Sequence, residues 1–424
     1  MERPLTQHIR PGGEALSLAE YEKTGGYVPL RRALGGMAPE AILESIRTAN
    51  LMGRGGAGFP TATKWALMTS GKDARHPAYL VANADEMEPG TFKDRFLIEG
   101  NPHQLIEGLI IAAYTVRADI GWIFVRWAYK KAAARLEKAM REAYDAGYLG
   151  RNILKSGFSL ELLIHTGSGR YMCGEETGLL NSLEGKRAVP RARPPFPQIS
   201  GLFGMPTVIN NVETLCCVPH IIRNGPEWFL RLSRTRDGGT KLYGISGRVK
   251  RPGVYELPMG TTLREILSDQ AGGMREGFTF RGLLPGGAST DFLVDEQLDV
   301  RLDFSDGMKS GSRLGTGSII VLDDRTCPVG FVLNLETFFA RESCGWCTPC
   351  RDGLPWVEKT LRAIEEGLGE PDDLAVLNHH ASGLSPGRTF CALAPGAMEP
   401  LQSALKHFGP DFERHIKEGR CPWK

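Results

Sequence analysis

The sequence predicts an α/β fold for the largest part of the chain, and three observations support this. Strand-like and helical runs alternate between about residues 36 and 235. A glycine cluster at 53–60 and an acidic loop at 83–90 interrupt these runs, and such loops at the carboxyl ends of strands are where α/β sheets bind ligands. Shorter strand-like runs with Gly and Pro turns follow, and then helical runs with clustered cysteines. A second small domain and a helical bundle are therefore expected.

The hydrophobic periodicity predicts the individual elements. In the α/β region, helices are predicted at 39–52, 64–68, 102–116 and 129–147, and strands at 78–84, 121–127 and 158–166. Residues 1–35 are polar, rich in Gly and Pro and without a period, which predicts an arm lying over the following domain or over a partner.

The character of the sequence changes after residue 235. Strands are predicted at 241–247, 253–258 and 318–324 with a helix at 261–269, which describes a small α+β module. Helices are predicted at 331–343, 353–367, 372–383 and 396–408. The predicted domains are the arm (1–35), the α/β domain (36–235), the α+β module (240–325) and a helical bundle (329–424).

Composition argues against several classes of function. The 51 Lys and Arg residues against 49 Asp and Glu give a net charge of +2, too small to attract nucleic acid or an anionic membrane surface. The most apolar stretch, at 105–116, contains Glu107 and is far shorter than the roughly 20 residues that span a bilayer. The N-terminus lacks the apolar region of a signal peptide. We expect no nucleic-acid partner, no membrane insertion and a cytoplasmic location.

Three cysteines lie within seven residues, at Cys344, Cys347 and Cys350, and Cys391 precedes a predicted helix. This 3+1 arrangement predicts a four-cysteine [4Fe-4S] site, with Cys421 as the alternative fourth ligand. Structural zinc is the other interpretation, although zinc sites more often use two separated Cys-x-x-Cys pairs. The remaining cysteines (Cys173, Cys216, Cys217, Cys327 and, by default, Cys421) are interpreted as small buried apolar residues.

The run Gly53-Arg54-Gly55-Gly56-Ala57-Gly58-Phe59 matches the G-x-G-x-x-G pattern. A predicted helix rather than a strand leads into it, so the usual dinucleotide fingerprint does not fit well. Its glycines still allow backbone N–H groups to approach a phosphate, and Arg54 and Lys64 could add positive charge. The alternative is a simple glycine turn.

Polar residues follow the predicted strands. They are Asn83, Asp85, Glu86 and Glu88 after the first strand, the pair Glu175 and Glu176 further on, and Asn210, Asn211 and Thr214. Carboxylates in these loops can accept hydrogen bonds from ribose hydroxyls and would repel a 2′-phosphate. The alternative interpretation is that they are ordinary charged loop residues facing solvent. The asparagines could contact a phosphate or a ring edge, or cap a helix. Phe196 could stack on an adenine or pack in a core.

Taken together, these motifs resemble those of the NADH- and FMN-binding subunits of respiratory complex I. The matching motifs, in order along the chain, are GRGGAGFPTATKW, NADEMEPGTFKDR, GRYMCGEETGLLNSLEGKR, PPFP, NNVETL, ARESCGWCTPCRDGLPW and TFCALAPGAMEPLQSALKHF. The segment GRVKRPGVYELPMGTTLREIL is similar to the family's β-grasp (ubiquitin-like) domain. Ala62 stands where a glycine is usual, Leu67 where some relatives carry an aromatic residue, and 377–388 look divergent.

The resemblance implies a Rossmann-like FMN- and NADH-binding domain, a β-grasp domain and a helical bundle carrying a [4Fe-4S] cluster. It implies that Gly53 to Gly58 and Lys64 hold FMN, together with Asn83, Asp85, Tyr171, Asn210, Asn211 and Thr214. It places the adenine end of NADH at Phe59 and Phe196, and Glu88 and Glu176 against the dinucleotide. The cofactor-binding set also includes Glu86, Gly174, Glu175, Ile209, Ala392 and Leu393. The implied cluster ligands are Cys344, Cys347, Cys350 and Cys391.

The implied reaction is hydride transfer from NADH to FMN followed by single-electron transfer to the cluster and onward to quinone, with no catalytic acid or base. The implied partners are a thioredoxin-like [2Fe-2S] subunit and a large iron–sulfur subunit, on the cytoplasmic side of the inner membrane. Two alternatives remain open at this point. One is the diaphorase subunit of an NAD-linked hydrogenase or formate dehydrogenase, and the other is a zinc-stabilised nucleotide-binding scaffold without redox activity.

Overall fold

The computed structural model of the chain describes residues 2–69, 75–304 and 311–424. It divides into two compact units. Unit 1 comprises Met1–Met87, Phe92–Tyr243 and Val254–Gly260, and unit 2 comprises Glu88–Thr91, Gly244–Gly253 and Thr261–Lys424.

Unit 1 is built from helices and one parallel sheet. Its helices are α1 (Leu18–Lys23), α2 (Val28–Gly36), α3 (Pro39–Thr48), α4 (Thr61–Thr69), α5 (Lys93–Gly100), α6 (Pro102–Val116), α7 (Lys130–Asp145), α8 (Glu176–Leu183), α9 (Pro197–Ser200), α10 (Val212–Asn224) and α11 (Pro226–Arg231). Its strands are β1 (Tyr79–Ala84), β2 (Ile120–Val125), β3 (Glu161–Thr166) and β4 (Thr207–Asn211).

The four strands form a sheet in the order β3-β2-β1-β4 with all pairs parallel. The register places Asn83 of β1 opposite Phe124 of β2 and opposite Asn211 of β4. Because parallel strands all run in one direction, their carboxyl ends meet at one edge of the sheet. The polar residues that follow these strands in the sequence are therefore brought to the same edge.

Both faces of the sheet are covered, as a parallel sheet requires. Leu80 and Ala82 of β1 belong to the larger apolar core, whereas Tyr79 and Val81 belong to a second core that includes residues of α8. Helix α6 is buried along almost its whole length, which agrees with a helix that is apolar on every side. The α/β fold class is thereby confirmed, and β1, β2 and β3 lie within or beside their predicted ranges.

Two helices that the sequence did not predict begin within the first 35 residues. Helices α1 and α2 form there, and Tyr21, Tyr27 and Leu30 are buried in the larger core. Their anchor is Glu107, fully buried within α6, which accepts hydrogen bonds from Tyr21 Oη (2.6 Å), Tyr27 N (3.0 Å) and Leu30 N (3.0 Å). Burial raises the pKa of Glu107 to about 7.

Unit 2 contains most of a second sheet and a helical region. Strands β5 (Thr240–Ser246), β6 (Gly253–Pro258), β7 (Phe280–Leu284) and β8 (Ser318–Asp323) lie in the order β6-β5-β8-β7, with β5 and β8 parallel and β7 and β8 antiparallel. The helices are α12 (Leu263–Glu265), α13 (Pro328–Glu342), α14 (Thr348–Glu365), α15 (Asp373–Gly383) and α16 (Leu393–Glu418).

The last four helices of unit 2 overlap the predicted helical runs, but α16 begins three residues before and ends ten residues after the predicted range 396–408. Its extension carries the chain to within a few residues of the C-terminus. No described helix combines the length and the apolar character that a membrane span needs.

The Glu107 anchor gives the first testable expectation. Replacing Glu107 by Ala leaves three donors without their acceptor inside a buried region, and we expect the unfolding free energy to fall by about 3 kcal/mol. Tyr21→Phe removes one of the three hydrogen bonds and is expected to cost about 1 kcal/mol. Urea unfolding followed by far-UV circular dichroism measures both. Equal stabilities for Glu107→Ala and the unsubstituted chain would show that the anchor contributes nothing.

Candidate functional site at the carboxyl edge of the parallel sheet

The glycine-rich loop connects α3 to α4, so a helix and not a strand precedes it, as the sequence predicted. Gly53 N donates to the carbonyl of Phe59 at 2.9 Å, which closes the loop at its base. Gly56 and Gly58 have φ angles of 122° and 65°, in the region that favours glycine over other residues. The loop is therefore held in a conformation that its glycines make accessible.

The loop packs against the end of β4 and the start of α10. Arg54 N donates to Thr214 Oγ1 at 2.8 Å, and a Cβ atom on Gly55 would lie 3.2 Å from the Cβ of Asn211. The expected positive charge of Arg54 at the loop surface is not observed. Its side chain is fully buried and donates to the carbonyl of Gly238 at 2.6 Å.

Helix α4 is joined to the same strand end by two side chains. Lys64 Nζ donates to the carbonyl of Ile209 at 3.2 Å and lies 3.0 Å from Glu176 Oε2. Trp65 is fully buried, and its Nε1 donates to Asn210 Oδ1 at 2.8 Å. Lys64, Glu176, Ile209 and Asn210 are thus brought together as expected, whereas the structural role of Trp65 is not evident from the sequence.

Two of the predicted carboxylates serve as helix caps. Glu175 Oε2 accepts from the backbone N–H groups of Thr177 (2.9 Å) and Gly178 (2.8 Å) at the start of α8. Glu86 is buried and accepts from the backbone of Asp94 (2.9 Å) at the start of α5, and burial raises its pKa to about 7. These contacts give both residues a structural role that the sequence motifs alone do not reveal.

The other two acidic residues of the motif, Asp85 and Glu88, belong to different units. Asn83 Oδ1 accepts from Asp85 N at 3.0 Å in unit 1, and Asp85 is buried. Glu88 lies in unit 2, where its Oε1 accepts from the backbone of Ser289 at 2.7 Å.

A buried group of charges, which the sequence reasoning missed, supports the strand edge. Lys93 Nζ lies 2.7 Å from Asp94 Oδ1 and 2.7 Å from Glu213 Oε2, and Lys241 Nζ lies 3.4 Å from the same Glu213 oxygen. Asn211 Nδ2 donates to Asp94 Oδ2 at 2.7 Å, which connects this group to the end of β4. Lys93 and Asp94 belong to the motif TFKDR, and Asn211 and Glu213 belong to the motif NNVETL. Nothing in the sequence shows that these two motifs contact each other.

Electrostatics within this group follow from burial and pairing. Burial lowers the pKa of Lys241 to about 8. Burial acts in the same direction on Lys93, but the carboxylates of Asp94 and Glu213 outweigh it and raise the pKa of Lys93. Lys93 is therefore the firmly charged centre of the group.

The residues at this edge fit a phosphate-bearing cofactor with a planar ring. The Thr61 hydroxyl, at the start of α4 just beyond the loop, is buried and has no hydrogen-bond partner among the described residues. Phe59 and Phe196 are 48% and 47% exposed, which is unusual for phenylalanine and leaves both rings available for stacking. Tyr171 and Gly174 form the short turn that precedes α8.

In unit 2, four cysteines gather between α13, α14 and α16. Cys344 and Cys347 lie between α13 and α14, Cys350 lies in the first turn of α14, and Cys391 precedes Ala392 and Leu393 at the start of α16. Burial raises the pKa of Cys350 to about 12, and the neighbouring thiols of Cys347, Cys391 and Cys344 act in the same direction. Cys421 is buried, as its interpretation as a small apolar residue requires, and it lies in a different group of side chains together with Cys327.

Three family models match the chain. The Nuo51 FMN-binding domain matches residues 46–220, the SLBB domain matches residues 242–290, and the NADH-ubiquinone oxidoreductase-F iron-sulfur binding region matches residues 330–415. The third range contains all four of the gathered cysteines.

Curated relatives match over nearly the whole length. The F subunits of NADH-quinone oxidoreductase from Salmonella typhimurium and Escherichia coli are each 54% identical over 415 residues, covering 98% of this chain and 93% of the relative. The F 2 subunit of NADH-quinone oxidoreductase from Rhizobium meliloti is 50% identical over 413 residues, covering 97% of each.

Solved structures with the same fold include an NAD⁺-reducing [NiFe]-hydrogenase. In its air-oxidized state the match has a TM-score of 0.79 and 38% identity, covering 89% of this chain and 63% of the hydrogenase chain. In its H₂-reduced state the TM-score is 0.80 with 36% identity, covering 92% of this chain and 64% of the hydrogenase chain. This chain therefore spans just under two thirds of the hydrogenase chain that it resembles.

The buried charges below the strand edge give the second testable expectation. Lys93→Met leaves Asp94 and Glu213 without their central cation, and we expect the unfolding free energy to fall by about 3 kcal/mol or more. Lys131→Met is the matched control, since Lys131 is 54% exposed and pairs with Glu99 at 3.7 Å, and it should cost less than about 1 kcal/mol. Urea unfolding compares the two variants, and similar losses in both would contradict the role given to Lys93.

Proposed function

Because the chain belongs to the family of F subunits of NADH-quinone oxidoreductase, we propose that its cofactor site is the carboxyl edge of the parallel sheet in unit 1. The observation that carries this assignment is the contact of the glycine-rich loop with the end of β4 and the start of α10, through Arg54 N, Thr214 and Asn211. The family binds FMN and a [4Fe-4S] cluster and oxidises NADH. The chain is accordingly an FMN-dependent NADH dehydrogenase subunit.

When bound, FMN accepts a hydride from NADH and passes electrons singly to the cluster, toward quinone. The backbone of Gly53 to Gly58 supplies N–H groups to the FMN phosphate, with Lys64 as the nearby cation. The hydrogen bond to the Ile209 carbonyl and the ion pair with Glu176 hold the Lys64 side chain in position. The assigned FMN-contacting residues on the strand ends and adjoining turns are Asn83, Asp85, Tyr171, Asn210, Asn211 and Thr214. The wider cofactor-binding set also includes Glu86, Gly174, Glu175 and Ile209.

For NADH, Phe59 and Phe196 are assigned to the adenine end, because both rings are half exposed and can stack. Glu176 is assigned to the ribose hydroxyls, where its charge disfavours the 2′-phosphate of NADPH. Glu88, Ala392 and Leu393 complete the assigned cofactor-binding set. The proposed reaction uses no acid or base from the chain, so positioning and charge are the contributions of the protein.

The assigned cluster ligands are Cys344, Cys347, Cys350 and Cys391. Cys347 immediately precedes α14, Cys350 lies in its first turn, and Cys344 lies in the same connection between α13 and α14. These features suit a cluster held by four thiolates. The alternative of a zinc-stabilised scaffold is not supported, since the iron–sulfur family model covers all four cysteines.

As a member of this family, the chain works with other subunits of one complex. We propose that they include a thioredoxin-like [2Fe-2S] subunit and a large iron–sulfur subunit, on the cytoplasmic side of the inner membrane. The proposed functional divisions are the arm (1–35), the FMN and NADH domain (36–235), the β-grasp domain (240–325) and the cluster domain (329–424). The family assignments for 46–220, 242–290 and 330–415 support the last three.

A diaphorase role in a hydrogenase is the second candidate, and the structural match to the NAD⁺-reducing [NiFe]-hydrogenase favours it. It has less support, because that match covers only 63% of the hydrogenase chain at 38% identity. The quinone oxidoreductase relatives match over 93% of their length at 54% identity.

A substitution in the glycine-rich loop tests the FMN site. Gly55→Val places side-chain carbons where the phosphate is proposed to approach, so the dissociation constant for FMN should rise at least about tenfold. Gly35→Val is the control, because Gly35 lies in α2 with open space around it. Quenching of flavin fluorescence on titration of apoprotein with FMN measures both. Unchanged FMN affinity in a folded Gly55→Val protein would move the site elsewhere.

A pair of cysteine substitutions tests the cluster ligands. Cys391→Ala should lose the electron paramagnetic resonance signal of the reduced cluster and its share of iron, while NADH:ferricyanide activity through FMN is retained. Cys421→Ala should keep both iron and signal, since Cys421 lies in a different group. The opposite pattern would make Cys421 the fourth ligand, and loss of flavin reduction in Cys391→Ala would contradict the separation of the two steps.

A further inference from the structure

Four side chains with metal-binding atoms converge near the C-terminus of unit 2. Cys327, Glu365, His415 and Cys421, here called the C-terminal cluster, place one ligand atom each within 4.8 Å of all the others. Glu365, His415 and Cys421 are buried and Cys327 is half buried. The proposed function uses none of these residues.

This group lies far from the iron–sulfur cysteines along the same helices. Cys327 immediately precedes α13 and Glu365 ends α14, whereas Cys344, Cys347 and Cys350 lie at the turn that joins the two helices. With 15 residues and a rise of 1.5 Å per residue, α13 separates the two groups by about 20 Å. Helix α16 repeats the arrangement, since Cys391 precedes its start and His415 lies in its last turn. The two groups are therefore separate sites.

The distances in the C-terminal cluster suit one tetrahedral ion. Cys327 Sγ lies 3.2 Å from Glu365 Oε2 and 3.2 Å from His415 Nε2, and these last two atoms are also 3.2 Å apart. Tetrahedral zinc, with bonds of about 2.3 Å to sulfur and 2.0–2.2 Å to nitrogen or oxygen, separates its ligand atoms by roughly 3.3–3.8 Å. These three ligand atoms are therefore already close to the zinc spacing, and the Cys421 Sγ lies within 4.8 Å of each of them.

The histidine is already oriented for metal binding. His415 Nδ1 lies 2.7 Å from the carbonyl oxygen of Asp411, and since a carbonyl can only accept, Nδ1 carries the proton. With Nδ1 occupied in this way, Nε2 is the ring nitrogen that faces Cys327 and Glu365 and would bind a metal ion. A hydrogen bond from the other ring nitrogen to a carbonyl is the usual support for a metal-binding histidine. Trp423 stacks on the ring at 5.7 Å and fixes its plane.

The second carboxylate oxygen of Glu365 also has a partner. Glu365 Oε1 lies 3.0 Å from Lys424 Nζ, which leaves Oε2 for the cluster. Two thiolates and one carboxylate carry a charge of −3, which a divalent cation and Lys424 together balance. Such balance is what a buried site of this kind requires.

We propose that Cys327, Glu365, His415 and Cys421 bind one Zn²⁺ ion that fastens the C-terminal tail to α13, α14 and α16. Sulfur and imidazole ligands select zinc over magnesium and calcium, which prefer all-oxygen sites. Four protein ligands leave no open position, so the ion is structural and takes no part in the redox reaction.

The test measures zinc, iron and FMN by elemental analysis and flavin assay on one sample of the full-length holoprotein, purified under reducing conditions and dialysed against metal-free buffer. We expect about one zinc ion per chain. His415→Ala and Cys421→Ala should lose most of this zinc while keeping iron and FMN. His407→Ala, on the same helix but outside the cluster, is the matched control and should keep the zinc.

A second measurement needs no substitution. X-ray absorption at the zinc edge should show two sulfur neighbours at about 2.3 Å and two nitrogen or oxygen neighbours at about 2.0–2.2 Å. Holoprotein with its full iron content but without zinc overturns the proposal. So does zinc that survives His415→Ala, zinc that is lost in Cys391→Ala with His415 intact, or a disulfide between Cys327 and Cys421 found by mass spectrometry of the unreduced chain. Unsubstituted protein that contains zinc but lacks FMN or iron would instead count against the proposed function alone.

Discussion

The parallel pairing of β1 with β4 determines where the chemically important residues of unit 1 lie. Because Asn83 is in register with Asn211, both strands end at the same level, and the loops that follow them share one edge. The glycine-rich loop, Lys64 and Trp65 each make a hydrogen bond to β4 or to the first turn of α10. A slip of one residue would turn the side chains of β4 to the opposite faces of the sheet and remove these partners.

The edge is supported from beneath by buried charges. Lys93 balances Asp94 and Glu213, while Asn211 connects Asp94 to the strand. A buried charge group contributes little net stability compared with well-packed apolar residues, but removal of one member is costly. We infer that this group fixes the position of Asn211, since an amide held by a buried carboxylate has few alternative conformations.

In unit 2, α13, α14 and α16 place cysteines at both ends. At one end lie the proposed iron–sulfur ligands Cys344, Cys347, Cys350 and Cys391, and at the other end lies the C-terminal cluster of Cys327, Glu365, His415 and Cys421. Helices of this length keep their ends apart, so two metal groups can coexist without sharing ligands. The proposed iron–sulfur cluster and the proposed zinc ion would thus connect the same three helices at both ends.

Local periodicity and short spacing along the chain were enough to predict the fold class, most element positions, the glycine-rich loop after a helix and the four gathered cysteines. They did not predict the helices within the first 35 residues, which form because Glu107 and the larger core hold them. Nor did they predict the burial of the Arg54 side chain, the buried ion pairs around Lys93 or the proximity of Cys327 to His415 and Cys421. Those groups are distant in the sequence, and only the packing of strands and helices brings them within bonding distance.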